Sequence, residues 1–354
     1  MNTDVIVVGG GLIGLAAATA LAERNVSVTL IGERKPGEAS PAAAGMLAPS
    51  VERATGPAHE FAVAARDRYP GYVAFLEERT GFKVPLNRLG ILQVALSQRG
   101  IRGLKKTAAP TARWLDAKEL DDLEPALSHA VGAMYNPDDG AVDNTVLISA
   151  LEKYVSDSGR ITTVVDTATE IDARGSSVSL KTKSGDAHIA GRVVLAAGAW
   201  AREIRGAPLA NAVQPARGQL VSYPIAPLRH VAYGPRGYLV PRGASTIGGS
   251  TMENVGYDAS TTADGVRKVQ SAAEEICPTL SSSKASRAWA GLRPVTPDML
   301  PIIGPDPERP SLVYACGHSR NGVLMAPLTG DLIADLVTGT PLSFDLSQFR
   351  PDRF

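Results

Sequence analysis

The run Asp4-Val-Ile-Val-Val-Gly9-Gly-Gly11-Leu-Ile-Gly14, followed by an Ala/Leu-rich stretch, constrains this chain more than any other feature. Four β-formers, Val5 through Val8, lead into three glycines and then into strong helix formers, so the local order is strand, tight turn, helix. In that setting each glycine of the G-x-G-x-x-G pattern has its own task. Gly9 permits the turn, Gly11 lets a pyrophosphate approach the backbone, and Gly14 lets the helix lie close to the strand. The N–H groups that open the helix lack intrahelical acceptors and face the phosphates. An adenine dinucleotide is expected at this turn.

The competing reading is a glycine-rich turn that binds nothing. Position argues against it: the pattern begins at residue 9 and a second strand is expected over residues 26–31, ending at Gly32-Glu33. An acidic residue about 20 positions beyond the glycines holds the ribose hydroxyls in such folds, and Glu33 lies 22 after Gly11. Alternation through Val28 and Leu30 would put that acid at Gly32, so Glu33 stands one place late.

With 354 residues the chain exceeds one ordinary core, and two domains sharing an interface are expected. Hydrophobic residues make up 44% and charged ones 20%, a globular mixture without a low-complexity tract. Thirty-six basic residues balance thirty-six acidic ones with no basic block, which argues against nucleic acid as a ligand. The N-terminal apolar run has no signal-peptide pattern, and no stretch reaches the roughly 18 to 20 apolar residues of a membrane span. A soluble, cytoplasmic protein is therefore expected. Cys277 and Cys316 are too few and too far apart for a disulfide framework or a zinc site, and no metal is expected.

Residues 36–49 are mostly small, with prolines at 36, 41 and 49, so their backbone can approach a flat ligand closely. A helix is expected over 60–80 with Phe61, Ala65, Tyr69 or Tyr72, and Leu76 on its core face. Further expectations are a strand over 89–96, a short helix within 115–127 ended by Pro125, and an amphipathic helix over 145–158. Strands over 161–165 and 178–183 should flank a turn at Arg174-Gly175, and Lys183-Ser-Gly185-Asp186 should close a hairpin. The run from Arg192 to Trp200 reads as a buried parallel strand ending at Gly198. Residues 221–223, 238–241 and 245–249 read as strands of a separate, mostly antiparallel sheet, and 264–277 as helix. A strand over 312–316, the turn Gly317-His-Ser-Arg320-Asn-Gly322 and an apolar helix over 324–337 repeat the logic of the N-terminus, which aims a second helix N-terminus at a ligand.

Several stretches together resemble the glycine oxidase and D-amino acid oxidase family of flavoproteins. They are Gly9-x-Gly11-x-x-Gly14, Ala42-Ala-Ala-Gly45-Met46-Leu, Val194-Leu-Ala-Ala-Gly198-Ala-Trp200, Tyr238-Leu-Val-Pro-Arg242, Trp289-Ala-Gly-Leu-Arg293-Pro and Gly317-His-x-Arg320-Asn-Gly322, in the family's order and over nearly the whole chain. Each alone is weak, but their order is specific. The resemblance implies an α/β fold: a Rossmann-like FAD-binding domain (1–83, 140–215 and 290–354) with an inserted substrate domain (84–139 and 216–289) on a mostly antiparallel sheet. It implies FAD held by Leu12 and Ile13, by Glu33 and Arg34 near the adenosine, and by Ala39, Ser40, Ala44, Gly45 and Met46 near the pyrophosphate and flavin. Ala168 would touch the adenine side, Gly198 would end the returning strand, and His318, Arg320, Asn321, Gly322, Val323 and Leu324 would face the isoalloxazine. The substrate carboxylate would be held by Arg293 and Tyr238, with Arg320, Arg236, Thr251 and Met252 around the same pocket and residues 50–57 as a lid.

The residues themselves support that assignment. Arg293 follows an apolar Trp-Ala-Gly-Leu run and precedes Pro294, so its guanidinium should leave a strand end in a fixed direction beside a dry pocket. A planar fork of five donors matches a carboxylate bidentately; the alternative is a structural ion pair. For Tyr238 the alternative is a core ring with a satisfied hydroxyl. His318 is read as a cofactor contact, not a general base. For Cys316 a small buried side chain is preferred over a covalent flavin link.

The resulting expectation is a flavin-dependent oxidase of glycine, an N-substituted glycine or a small D-amino acid. Hydride leaves Cα for the flavin without a side-chain base, and oxygen reoxidises the flavin to give peroxide. A biosynthetic oxidase that releases an amine from an N-carboxymethyl precursor, a quinone-dependent D-amino acid dehydrogenase, an RNA-modifying flavoprotein and a non-catalytic FAD subunit are the alternatives. The absence of a basic amphipathic helix argues against the second, and zero net charge against the third. Thiamine precursor synthesis and a homo-oligomer are further implications of the resemblance.

Overall fold

The computed structural model describes residues 3–52, 56–173, 175 and 177–354. The glycine pattern lies where the sequence places it, between the strand Thr3–Val8 and the helix Leu12–Glu23. Thr3–Val8 is central to the first large sheet: it pairs in parallel with Val28–Ile31 on one side and with the Ala187–Leu195 strand on the other. Val28–Ile31 is followed outward by Ile161–Val164, and Ala187–Leu195 also takes Leu312–Cys316 as a parallel neighbour. The buried pattern of Val5 to Val8 and of Val193 to Leu195 is what a parallel sheet covered on both faces requires.

One face is covered by Leu12–Glu23, Pro57–Asp67, Asn144–Asp157 and Gly322–Thr338. Leu12–Glu23 and Gly322–Thr338 pack closely because a Cβ at Gly330 would sit 2.7 Å from the Ala16 carbonyl oxygen. The opposite face carries Ile6, Val8, Ile31, Leu180, Ile204 and Tyr314.

The second large sheet has eight strands in the order Arg287–Val295, Gln214–Tyr223, Ser245–Gly249, Tyr238–Arg242, Val231–Tyr233, Ile91–Ala95, Gly132–Asn136, Arg113–Asp116. Its pairs are antiparallel except Val231–Tyr233 with Ile91–Ala95. The helix Ala263–Ile276 packs on it around Val221, Tyr223, Leu239, Val269 and Ile276. A small sheet of Met46–Leu47, Gly140–Val142 and Leu86–Asn87 stands between the two.

Several expectations are corrected. The helix over 60–80 is two helices, Pro57–Asp67 and Tyr69–Thr80, because Pro70 has no N–H to donate back across the junction. Of its stripe, Phe61, Ala65, Tyr69 and Leu76 are fully buried. The strand antiparallel to Val178–Thr182 is Ala168–Asp172, whose Thr169 and Glu170 hide it from a hydrophobicity scan, while Ile161–Val164 lies in parallel against Val28–Ile31. Of the turn assigned there, Arg174 lies outside the described residues. Membership of the second sheet begins at Gln214 and runs through Val295, past the boundaries expected at 216 and 290.

Candidate active site

The turn after the first strand is shaped by backbone contacts. Gly9 has φ +112°, a value L side chains avoid, and a Cβ at Gly14 would overlap the Gly9 carbonyl oxygen. A Cβ at Gly10 would meet nothing within 4 Å, so this stretch of backbone is open to the large cavity that it lines. The Leu12 N–H donates to Ser40 Oγ at 2.9 Å, which ties the helix start to the small-residue segment. That segment is held in turn from behind. Asn144 Nδ2 donates to the Ser40 carbonyl at 2.7 Å, and Arg242 Nη2 donates to Ala44 O and to Asn144 Oδ1, each at 2.8 Å.

At the edge of the sheet the Glu33 carboxylate turns into the cavity and accepts a 2.6 Å hydrogen bond from Thr167 Oγ1. The irregular exit from Val28–Ile31 through Gly32 lets Glu33 point inward despite the strand alternation. Arg34 turns the other way, to Glu38 and Glu152 on the outer surface.

The far end of the cavity is built by the second sheet and by the turn before Gly322–Thr338. Arg293, on Arg287–Val295, is half-buried with its open side toward the cavity that it lines. Nη2 donates to Ser250 Oγ at 2.7 Å and Nη1 to the Thr251 carbonyl at 3.1 Å. Among the described residues no carboxylate stands within ion-pair distance of it. Gly218, on the neighbouring strand, leaves room for the guanidinium, since a Cβ there would sit 2.5 Å from Arg293 Nη2 and closer still to Cζ and Nη1. Burial holds the Arg293 pKa below its usual value, against the pull of nearby Tyr238. Tyr238 is itself buried, stacks on Tyr233 with ring centroids 6.1 Å apart, and lines the same cavity. A Cβ at Gly249 would sit 2.5 Å from the Tyr238 hydroxyl, so a second glycine makes space for the Tyr238 ring.

Arg320 donates from Nη2 to Glu52 Oε1 at 2.9 Å and to the Tyr233 hydroxyl at 3.2 Å. Burial pushes the Glu52 carboxyl above its ordinary range, while Arg320 and Arg293 pull it back. His318 is fully buried, with Nε2 3.1 Å from Thr329 Oγ1, and desolvation lowers its pKa to about 3. It is a neutral imidazole at physiological pH and, with so low a pKa, a poor proton acceptor. Burial pushes the Cys316 thiol up to about 12, so its nucleophilic thiolate is suppressed.

One cavity thus gathers Gly9, Gly11, Leu12, Ile13, Glu33, Ala39, Ser40, Ala44, Gly45, Met46, Ala168, Gly198, Tyr238, Arg293, His318, Arg320, Asn321, Gly322 and Val323. Four expected residues stand elsewhere. Gly14 packs behind the turn, and Leu324 is buried in the core. Arg34 is paired on the surface, and Met252 is 51% exposed and off the cavity. Arg236, also expected near the pocket, pairs with Glu275 on the surface. Of the expected lid, residues 53–55 lie outside the described residues. Sequence reasoning missed Lys35, Thr167, Trp200 and Ser250 as lining residues, the individual role of Glu52 within the segment 50–57, and the supporting roles of Asn144 and Arg242. Arg242 and Trp200 had a signal, each as the end of a motif quoted for the resemblance. Asn144 had none, because its partners are remote in sequence.

A family model described as "FAD dependent oxidoreductase" matches residues 4–336. The chain belongs to this family. The cofactor of this FAD-dependent oxidoreductase is FAD, and the site fits it: a backbone cradle at Gly9 to Gly11, an inward carboxylate at Glu33, and one cavity running on to Arg293. The chain is 34% identical to the glycine oxidase of Geobacillus kaustophilus over 99% of its own length and 97% of that protein's. The crystal structure of that glycine oxidase superposes with a TM-score of 0.91 and covers 100% of this chain and 99% of that one. The iminodiacetate oxidase IdaA of Chelativorans sp. BNC1 superposes with a TM-score of 0.90 at 25% identity over 98% of both chains. The bifunctional protein ThiO/ThiG of Synechocystis sp. is 35% identical over 100% of this chain but only 54% of its own length, so the chain spans about half the bifunctional relatives it matches. Among the described residues no helix is long and apolar enough to cross a membrane.

Proposed function

We propose that this FAD-dependent oxidoreductase oxidises the Cα–N bond of glycine, an N-substituted glycine or a small D-amino acid. The observation that carries the reading is Arg293: a guanidinium without an ion-pair partner among the described residues, braced by Ser250 and Thr251 and lining the cavity that the dinucleotide turn opens. A structural arginine would have its carboxylate already. With Tyr238 it offers a fork and a hydroxyl to an incoming carboxylate, and together they fix the direction of the carbon next to it.

FAD, when bound, would supply a two-electron acceptor for the Cα hydride, with oxygen as the oxidant that regenerates it and peroxide as the product. The chain contributes binding, orientation and exclusion of water. At the substrate end neither His318 nor Glu52 is poised as a base: burial lowers the His318 pKa to about 3, too low for it to hold a proton, and Glu52 is engaged by Arg320. The amine therefore reacts in its neutral form, and the imine is hydrolysed by water. Leu12 and Ser40 order the helix start toward the pyrophosphate, and Glu33 addresses the ribose hydroxyls. We assign cofactor binding chiefly to 1–83, 140–213 and 296–354 and substrate binding chiefly to the second sheet, which includes Arg293.

Release of a larger amine from an N-carboxymethyl precursor is the second reading, supported by the likeness to an enzyme that acts on iminodiacetate. A place in thiamine precursor synthesis is supported by the ThiO/ThiG relatives. The test is an anaerobic screen of glycine, sarcosine, larger N-alkylglycines and D-amino acids for bleaching of the flavin absorbance, followed by peroxide release in air. Bleaching by an α-amino acid or N-alkylglycine is expected; no bleaching by any of them would refute the reading.

A further inference from the structure

Glu52 enters the family resemblance only as part of the segment 50–57, with no role of its own, yet it lines the cavity beside both guanidiniums of the substrate end. It accepts from Arg320 at 2.9 Å, its charge also acts on Arg293, and its side chain is 13% exposed. Of the two arginines, Arg293 keeps its open side without an anionic partner, whereas Arg320 is already occupied by Glu52 and by the Tyr233 hydroxyl. The site therefore contains one free cationic anchor and one that a built-in anion has filled. A ligand with one carboxylate matches that arrangement. A ligand with a second carboxylate must either displace Glu52 from Arg320 or accept like-charge repulsion from it, and repulsion of this kind is a usual source of specificity.

We propose that Glu52 is a specificity-determining residue that sets the charge class of the substrate: glycines whose amine carries hydrogen or an uncharged group are accepted, and those bearing a second carboxylate are rejected. The inference rests on the amino acid oxidase reading for the word substrate, and its physical content is a binding preference. Substitution of the carboxylate by an isosteric amide keeps the shape and a hydrogen-bond acceptor but frees the Arg320 charge.

The test uses the FAD-loaded enzyme and two ligands without an amine, glycolate and diglycolate, titrated by the change in flavin absorbance. The wild type is expected to bind glycolate at least about tenfold more tightly than diglycolate. In Glu52→Gln the diglycolate Kd should fall by about tenfold or more while the glycolate Kd stays within about threefold. Glu52→Asp, which keeps the charge, should retain the wild-type ranking. Equal affinities in the wild type would overturn the proposal without any variant, and so would a Glu52→Gln change that shifts both ligands alike, the signature of a structural role. If no glycine of any kind bleaches the flavin, the oxidase reading falls while this pair of Kd values still decides the role of Glu52.

Discussion

Gly218→Ala tests the clamp without touching its charges. Gly218 lies in the strand Gln214–Tyr223 and needs no left-handed backbone, so alanine is compatible with its conformation. Its Cβ, however, would sit 2.5 Å from Arg293 Nη2. An ordinary contact is about 3.5 Å, and Nη1 and Cζ come closer to that Cβ than Nη2 does, so the guanidinium must retreat by more than about 1 Å. Arg293 cannot do so and keep both its 2.7 Å bond to Ser250 Oγ and its 3.1 Å bond to Thr251 O. A misplacement of about 1 Å costs on the order of 100-fold in a positioned reaction, equivalent to about 2.7 kcal/mol. Overpacking adds a destabilisation of about 1–3 kcal/mol. The assay is kcat/KM by peroxide release with whichever amine bleaches the flavin best, with flavin content and Tm alongside. We expect the 100-fold loss in a protein that still carries flavin, and little further loss when Arg293→Ala is added, because both changes remove the same interaction. Wild-type kcat/KM in Gly218→Ala would refute the reasoning, as would full additivity of the two losses.

Arg293→Ala alone should lower kcat/KM by about 100-fold or more, since truncating one partner of a hydrogen-bonded charge pair costs about 2–5 kcal/mol, with the flavin spectrum unchanged. Gly11→Val should leave a folded protein that does not retain FAD through gel filtration: a Cβ there meets only Ser40 Oγ, at 3.2 Å, and the larger side chain takes the pyrophosphate's approach. Gly14→Ala should instead lower Tm, because its Cβ would overlap the Gly9 carbonyl, a backbone atom that cannot move aside. Asp139, which accepts from Ser50 and Arg66, has its pKa raised by burial from 3.8 to about 6. The folded state thus binds the proton more tightly than the unfolded chain. Its contribution is fully present below about pH 4 and is lost, up to about 3 kcal/mol, as pH rises through about 6. Asp139→Asn should flatten that part of a stability-against-pH curve measured by urea unfolding, and an unchanged slope would count against the assignment.

The dinucleotide turn was legible because all its determinants are local: a β-branched run, three glycines and a helix start within fourteen residues. The same holds for Asn144–Asp157, Ala263–Ile276 and Gly322–Thr338, each found within a residue or two of its expected ends. Arg293, Tyr238 and Arg320 were legible through motifs in a recognisable order. The strand Ala168–Asp172 was not, because its half-buried polar Thr169 and Glu170 break the apolar pattern and its partner strand supplies the pairing. The split of the 60–80 helix at Pro70 could have been read, since a proline inside a helical pattern removes a backbone donor. Met252 shows the reverse error: a position matched in sequence whose side chain lies outside the cavity.

By itself the sequence determined the elements whose causes lie within a few bonds of one another, and with them the Rossmann-like turn, the FAD and the chemical types of the clamp. Only the tertiary structure decided which groups share a charge environment. Arg293 and Arg320 are the same residue type, but folding brings Glu52, 268 positions away, against one of them and leaves the other open. Coulomb interactions act through space and depend on burial, so no local reading of the chain distinguishes the free guanidinium from the filled one.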